Sequence, residues 1–128
     1  MNYSLKNLNG IIGVINTPFT PDDKIDCDSL RRYVNHSIKC GVVGFLVPAM
    51  AAEVDKLSFR ERKIIVETVV EEANSRVTVI GGASARSQNE RFRNTDMLNR
   101  IGCDGVLVSI PFVNREKYIK DIKEIEDL

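Results

Sequence analysis

Four short apolar runs, IIGVI (11–15), VGFLV (43–47), VTVIG (77–81) and GVLVSI (105–110), mark out this chain. Each is nearly continuous rather than alternating, the pattern of a strand buried on both faces. They recur at intervals of about 30 residues, the length of a strand, a crossover helix and the return to a parallel strand. A chain built this way is restricted to the parallel α/β folds.

The segments between the runs carry the start and stop signals of helices. Asp26 or Asp28 can cap the first, in which Leu30, Tyr33, Val34 and Ile38 share one face before Gly41 ends it. Ser58 with Glu61 forms a capping box for the second, where Ile65, Val69 and Ala73 make an apolar stripe. Ser87 with Glu90 repeats the box for the third, which Gly102 closes, and Asn114 can cap a fourth with Tyr118, Ile122 and Ile125 at helical spacing. Right-handed crossovers then leave an open doubly wound sheet or part of a (β/α)8 barrel. The dinucleotide fingerprint is missing, since the first run continues into NTPFTPDD, and VIGGASARS has no phosphate-loop lysine. The barrel is favoured.

Composition narrows the function classes. The 128 residues are 43% hydrophobic with four Pro and eight Gly, as expected of one globular domain spanning 1–128. Lys plus Arg and Asp plus Glu both number 18, so no net field draws the chain to nucleic acid or to an anionic membrane. Cys27, Cys40 and Cys103 show no metal-ligand or disulfide spacing and read as reduced, mostly buried thiols. The N-terminal MNYSLKNLNG lacks the apolar core of a signal peptide and no window approaches a membrane span, so a cytoplasmic location is expected. The N-x-S matches at Asn2 and Asn35 carry no weight without a secretory signal. His36 stands alone on its helix and no metal site is expected; the acidic pairs Asp22-Asp23 and Glu71-Glu72 read as solvated.

The segment from GVINTPFTPDDKIDCDSLRRYVNHS to VTVIGGASARSQNE resembles the N-terminal half of the dihydrodipicolinate synthase and N-acetylneuraminate lyase family. The landmarks are Thr17-Pro18-Phe19, Asp26, Gly41, Gly44, Glu53, Leu57-Ser58, Glu61-Arg62, Gly81, Gly102, Asp104 and Pro111. They occur in order and almost without gaps. The resemblance implies a (β/α)8 TIM barrel, of which this chain covers about the first four βα units. It also implies a class I lyase or aldolase acting on pyruvate or a related 2-oxo acid. In that family a lysine at the end of the sixth strand forms a Schiff base, which is the electron sink for carbon–carbon chemistry, and a tyrosine at the end of the fifth shuttles protons. No cofactor is expected. Both residues would lie beyond Leu128, so no catalytic residue is expected here and the 128 residues alone are expected to be inactive.

What this half would contribute is substrate binding, and the expected residues are Thr17, Ala49, Met50, Ala51, Glu53, Phe112 and Val113. Two of these stretches depart from the family. It usually has G-T-T-G-E after the second strand, with hydroxyls and backbone N–H groups for a 2-oxo acid carboxylate. Residues 49–53 are instead AMAAE, which keeps only the backbone donors and the acid, with Met50 free to line a more apolar pocket. The family often has P-Y-Y after the fourth strand, its second tyrosine reaching across a dimer interface. Pro111-Phe112-Val113 has no phenol, which puts dihydrodipicolinate synthesis itself in doubt. Lys56 is the one lysine in a βα loop on the reactive face, but Glu53 and Asp55 favour its charged, unreactive form.

Two functions of different class remain. One is the N-terminal half of a Schiff-base lyase or aldolase. The other is a non-catalytic half-barrel that associates with itself or with a separate C-terminal half. Four barrel strands alone expose two sheet edges and an apolar inner face, so homo-oligomerisation or a completing half-barrel is expected in either case.

Overall fold

The computed structural model describes residues 8–128; most of the segment read for a targeting signal, and the Asn2 match, lie outside the described residues. Four strands, β1 (Ile12–Val14), β2 (Gly44–Val47), β3 (Thr78–Gly82) and β4 (Gly105–Leu107), form one sheet in the order β1-β2-β3-β4. All three pairings are parallel. The crossovers are α1 (Cys27–Lys39), α2 (Phe59–Ala73) and α3 (Gln88–Ile101), and α4 (Arg115–Glu126) follows the last strand.

Each helix starts where its capping residue dictates. For α1 the choice falls on Asp26, whose carboxylate accepts the Ser29 N–H at 2.9 Å, leaving Asp28 in the first turn near the positive end of the helix dipole. Both capping boxes form: the Ser58 and Ser87 hydroxyls accept the N–H groups of Glu61 and Glu90, whose carboxylates bind back. Asn114 caps α4. Gly41, just beyond α1, and Gly102, the C-cap of α3, have φ of 93° and 94°, the left-handed conformation that glycine adopts without strain.

The core lies between the sheet and the helices. Ile15, Phe45, Val47 and Val79 meet Leu30 and Val34 of α1, Ile65, Val66 and Val69 of α2, and Leu98 of α3, all buried. Tyr33, expected on the core face of α1, is exposed instead. The cysteines differ from one another: Cys103 is buried, Cys27 half-buried and Cys40 exposed, so "mostly buried" holds for one of three.

Among the described residues no helix lies over the opposite face of the sheet. Register places Val14, Leu46 and Ile80 side by side, and Gly82 beside Leu107, on this second face. Val14 is 40% exposed and Leu107 49%. β4 is shorter than its apolar run because beyond Leu107 the Ser109 N–H turns to the Ser84 hydroxyl, and the strand ladder ends.

Candidate functional site

The loop after β2 folds into two short 3₁₀ turns, Met50–Ala52 and Val54–Lys56, joined at Glu53. Its small residues answer to close packing. The Pro48 carbonyl oxygen crowds Gly82 of β3 so tightly that an added Cβ there would lie 1.8 Å from it, inside any permissible contact. Ala52 is fully buried, and its carbonyl accepts the Thr17 hydroxyl at 2.9 Å. At Ala52 a bulkier side chain would have no room, whereas Met50 and Ala51 in the same loop are exposed.

Beside the loop, at the C-terminal ends of the strands and on the open face of the sheet, lies a cavity of about 500 Å³. Val14 forms one wall, residues 48–51 and Val54 a second, Gly82 with Ser84 a third, and residues 107–109 the last. This is the end of a parallel α/β barrel where βα loops converge and chemistry occurs.

Of the residues expected to bind substrate, Ala49, Met50 and Ala51 line this cavity. Met50 is 90% exposed, so its flexible thioether stands at the rim. Thr17 lies outside the lining, its hydroxyl donated to Ala52, where it ties the first loop to the second. The N–H groups of Ala52 and Glu53 close the first 3₁₀ turn on the carbonyls of Ala49 and Met50, so these two donors are occupied. Glu53 sits at φ 56° and pairs with Lys56 at 2.9 Å. That carboxylate holds the Lys56 amine above its ordinary value of 10.5, the direction opposite to what a nucleophilic lysine needs. Phe112 and Val113 are 72% and 63% exposed and do not reach the cavity; the Phe112 ring meets Tyr118 edge-on at 5.7 Å between centroids.

Sequence reasoning passed over Ser84 and Ser109, the polar side chains in the lining among the described residues. Their signal was position: each falls two residues beyond the end of a strand, where a barrel places its site. Cys103, by contrast, is far from reactive, since burial pushes its thiol up to about 12. Among the described residues no group of three His, Cys, Asp or Glu side chains could hold a metal ion, and no helix is long and apolar enough to cross a membrane.

The sequence model of the Dihydrodipicolinate synthetase family matches residues 7–125. The chain belongs to this family. A 4-hydroxy-tetrahydrodipicolinate synthase of Methanothermobacter thermautotrophicus is 32% identical over 108 residues, covering 84% of this chain and 38% of the relative. The structure of the 4-hydroxy-tetrahydrodipicolinate synthase from Methylacidiphilum fumariolicum SolV superposes with a TM-score of 0.86 at 27% identity, over 94% of this chain and 41% of that one. YagE, a prophage protein of the same family from E. coli K12 solved in complex with pyruvate, gives 0.85 at 26% identity, over 92% and 41%. The chain thus spans about two fifths of the relatives it matches, and its four βα units are half of a TIM barrel.

Proposed function

We propose that these residues are the substrate-binding half of a Schiff-base lyase or aldolase that acts on pyruvate or a related 2-oxo acid. The observation that carries this reading is the cavity at the C-terminal strand ends, walled by the loop that aligns with the family's carboxylate-binding segment. A solved neighbour holding pyruvate supports the same substrate class. Among the described residues no lysine lines the cavity, and Lys56, in the adjoining loop, is held charged by Glu53. The amine that attacks the ketone therefore comes from four further βα units, and this half supplies the walls against which the 2-oxo acid is oriented.

Trapping with borohydride tests the proposal. Incubated with pyruvate and the reductant, the 128 residues alone should gain no specific mass, whereas a chain extended by the second half of the barrel should gain one stoichiometric adduct. An adduct at Lys56 in the short chain would overturn the division of roles. The open inner face, with Val14 and Leu107 exposed, favours a second reading in which the half-barrel serves only to associate; silence in the extended chain would decide for it.

A further inference from the structure

We infer that His36 and Cys40, one turn apart at the C-terminal end of α1, form a two-ligand site for a zinc-like divalent ion, with two coordination positions left to water. The site lies at the end of the strands opposite the mouth and is independent of the reaction proposed there. In the sequence His36 has no second histidine near it, and the cysteines show no spacing toward one another. A histidine and a cysteine four positions apart nevertheless share a helix face, and the fold turns that spacing into a contact.

The helix itself sets the geometry. Cys40 caps α1 in the helical conformation and its N–H bonds to the His36 carbonyl at 3.0 Å, so the last turn ties the two residues together. The Cys40 Sγ then lies 3.6 Å from the His36 Nε2. Zinc bonds of about 2.3 Å to sulfur and about 2.0 Å to nitrogen, opened at the tetrahedral angle, put the two donor atoms about 3.5 Å apart. A square-planar ion would need them at about 3.1 Å. The pair is therefore spaced as one edge of a tetrahedron. A thiol sulfur and an imidazole nitrogen suit a borderline ion rather than an oxygen-seeking one such as magnesium. The carbonyl end of a helix favours a cation, and Lys39, the neighbouring positive charge, leaves the helix about 100° around from Cys40. Both ligands are exposed among the described residues, and a Cβ added at Gly41, the next position, would meet nothing within 4 Å, which leaves room for the waters. On binding, Nε2 donates its lone pair, the thiol releases its proton to solvent, and no electron is transferred.

Cobalt(II), whose absorption reports its own coordination, tests the site in the natural full-length protein, reduced and freed of metal. Titration with cobalt alone should raise a thiolate-to-cobalt charge-transfer band and the intense visible bands of four-coordinate cobalt, one equivalent per chain above the Cys40→Ser background. Zinc(II), which takes the same tetrahedral set, should displace the colour. His36→Ala should weaken cobalt binding at least tenfold, and Lys39→Ala should not weaken it. Zinc should also slow alkylation of Cys40 by iodoacetamide at least tenfold, read by peptide mass, and leave the half-buried Cys27 unchanged. All three substituted positions are exposed, so every variant should match the parent by circular dichroism. A cobalt spectrum shared by the parent and Cys40→Ser would overturn the inference. So would equal affinity in the parent and His36→Ala, or alkylation of Cys40 that zinc does not slow.

Discussion

At the scale of single residues, the two adjacent glycines that close β3 illustrate how alternation along a strand assigns neighbours different jobs. Gly81 faces the helices, where an added Cβ would meet the Leu98 side chain at 2.4 Å, and Gly82 faces the mouth, where it would meet the Pro48 carbonyl oxygen at 1.8 Å. A leucine can change rotamer, but a backbone carbonyl at the end of β2 moves only if the loop moves. Gly82→Ala should therefore destabilise the protein by about 2 kcal/mol or more, at the upper part of the overpacking range. It should also displace the Ala49 to Ala51 wall of the cavity. Gly13→Ala is the matched control, with its nearest neighbour at 3.6 Å and an ordinary φ, and should be neutral or stabilising by up to about 1 kcal/mol. Urea unfolding of the two variants decides the point, and equal midpoints would refute it. In the sequence Gly81 reads as the end of an apolar run and as a landmark of the family, and Gly82 only as part of a Gly-rich stretch without a phosphate-loop lysine. What they pack against is set by a proline more than thirty positions earlier, which no local pattern encodes.

At the scale of elements, most of the fold was legible because each helix announces its own start. The two capping boxes, the Asp26 and Asn114 caps and the turn glycines act through neighbours three or four positions away, so spacing alone identifies them. Several landmarks of the family resemblance prove to be of this kind. Asp26 caps α1, Gly102 ends α3, the Arg62 guanidinium binds the carbonyls of Val54 and Leu57, and the Asp104 carboxylate accepts the Val79 N–H at 2.9 Å. They identify a fold more directly than a reaction. The site was less legible, since its loops come together only when four strands align: Ala49, Met50 and Ala51 reach the cavity, Phe112 and Val113 do not, and the two serines were missed.

The boxes also predict a pH dependence. Hydrogen bonds from Ser58 and Ser87, hydroxyl and backbone, hold the Glu61 and Glu90 carboxyls below their ordinary value of 4.5. A lowered folded-state value stabilises the protein above about pH 4.5, and that contribution is lost as pH falls through the depressed folded values. Ser58→Ala and Ser87→Ala should each cost about 1 kcal/mol at pH 7. Glu61→Gln and Glu90→Gln should flatten the acid limb of stability against pH while leaving its neutral plateau nearly in place. Thermal melts from pH 7 to pH 3 measure both effects; an acid limb unchanged in the double Gln variant would show that the boxes are not titrating.

At the scale of the whole molecule, the sheet poses a problem that its own helices do not solve. Among the described residues α1, α2 and α3 cover one face, while no element covers the other, which carries Val14, Leu46, Ile80 and Leu107, and β1 and β4 each pair with a strand on one side. Bare edges and an apolar inner face together are a template for association, and a closed barrel removes both at once. The natural protein should therefore bury Leu107, whether under four further βα units or under a second copy. Leu107→Asp separates a covered face from a bare one. Under cover it places an unpaired carboxylate in an apolar interior, at a cost of about 3 to 5 kcal/mol, and should abolish cooperative unfolding or split the assembly. On a bare face the same change would fall within about 0.5 kcal/mol, as Lys63→Ser on the outer side of α2 should in either case. Sedimentation of the 128 residues alone completes the argument: they should associate or unfold on dilution. A compact, cooperative monomer that tolerates Leu107→Asp would mean that half of a barrel is a sufficient fold.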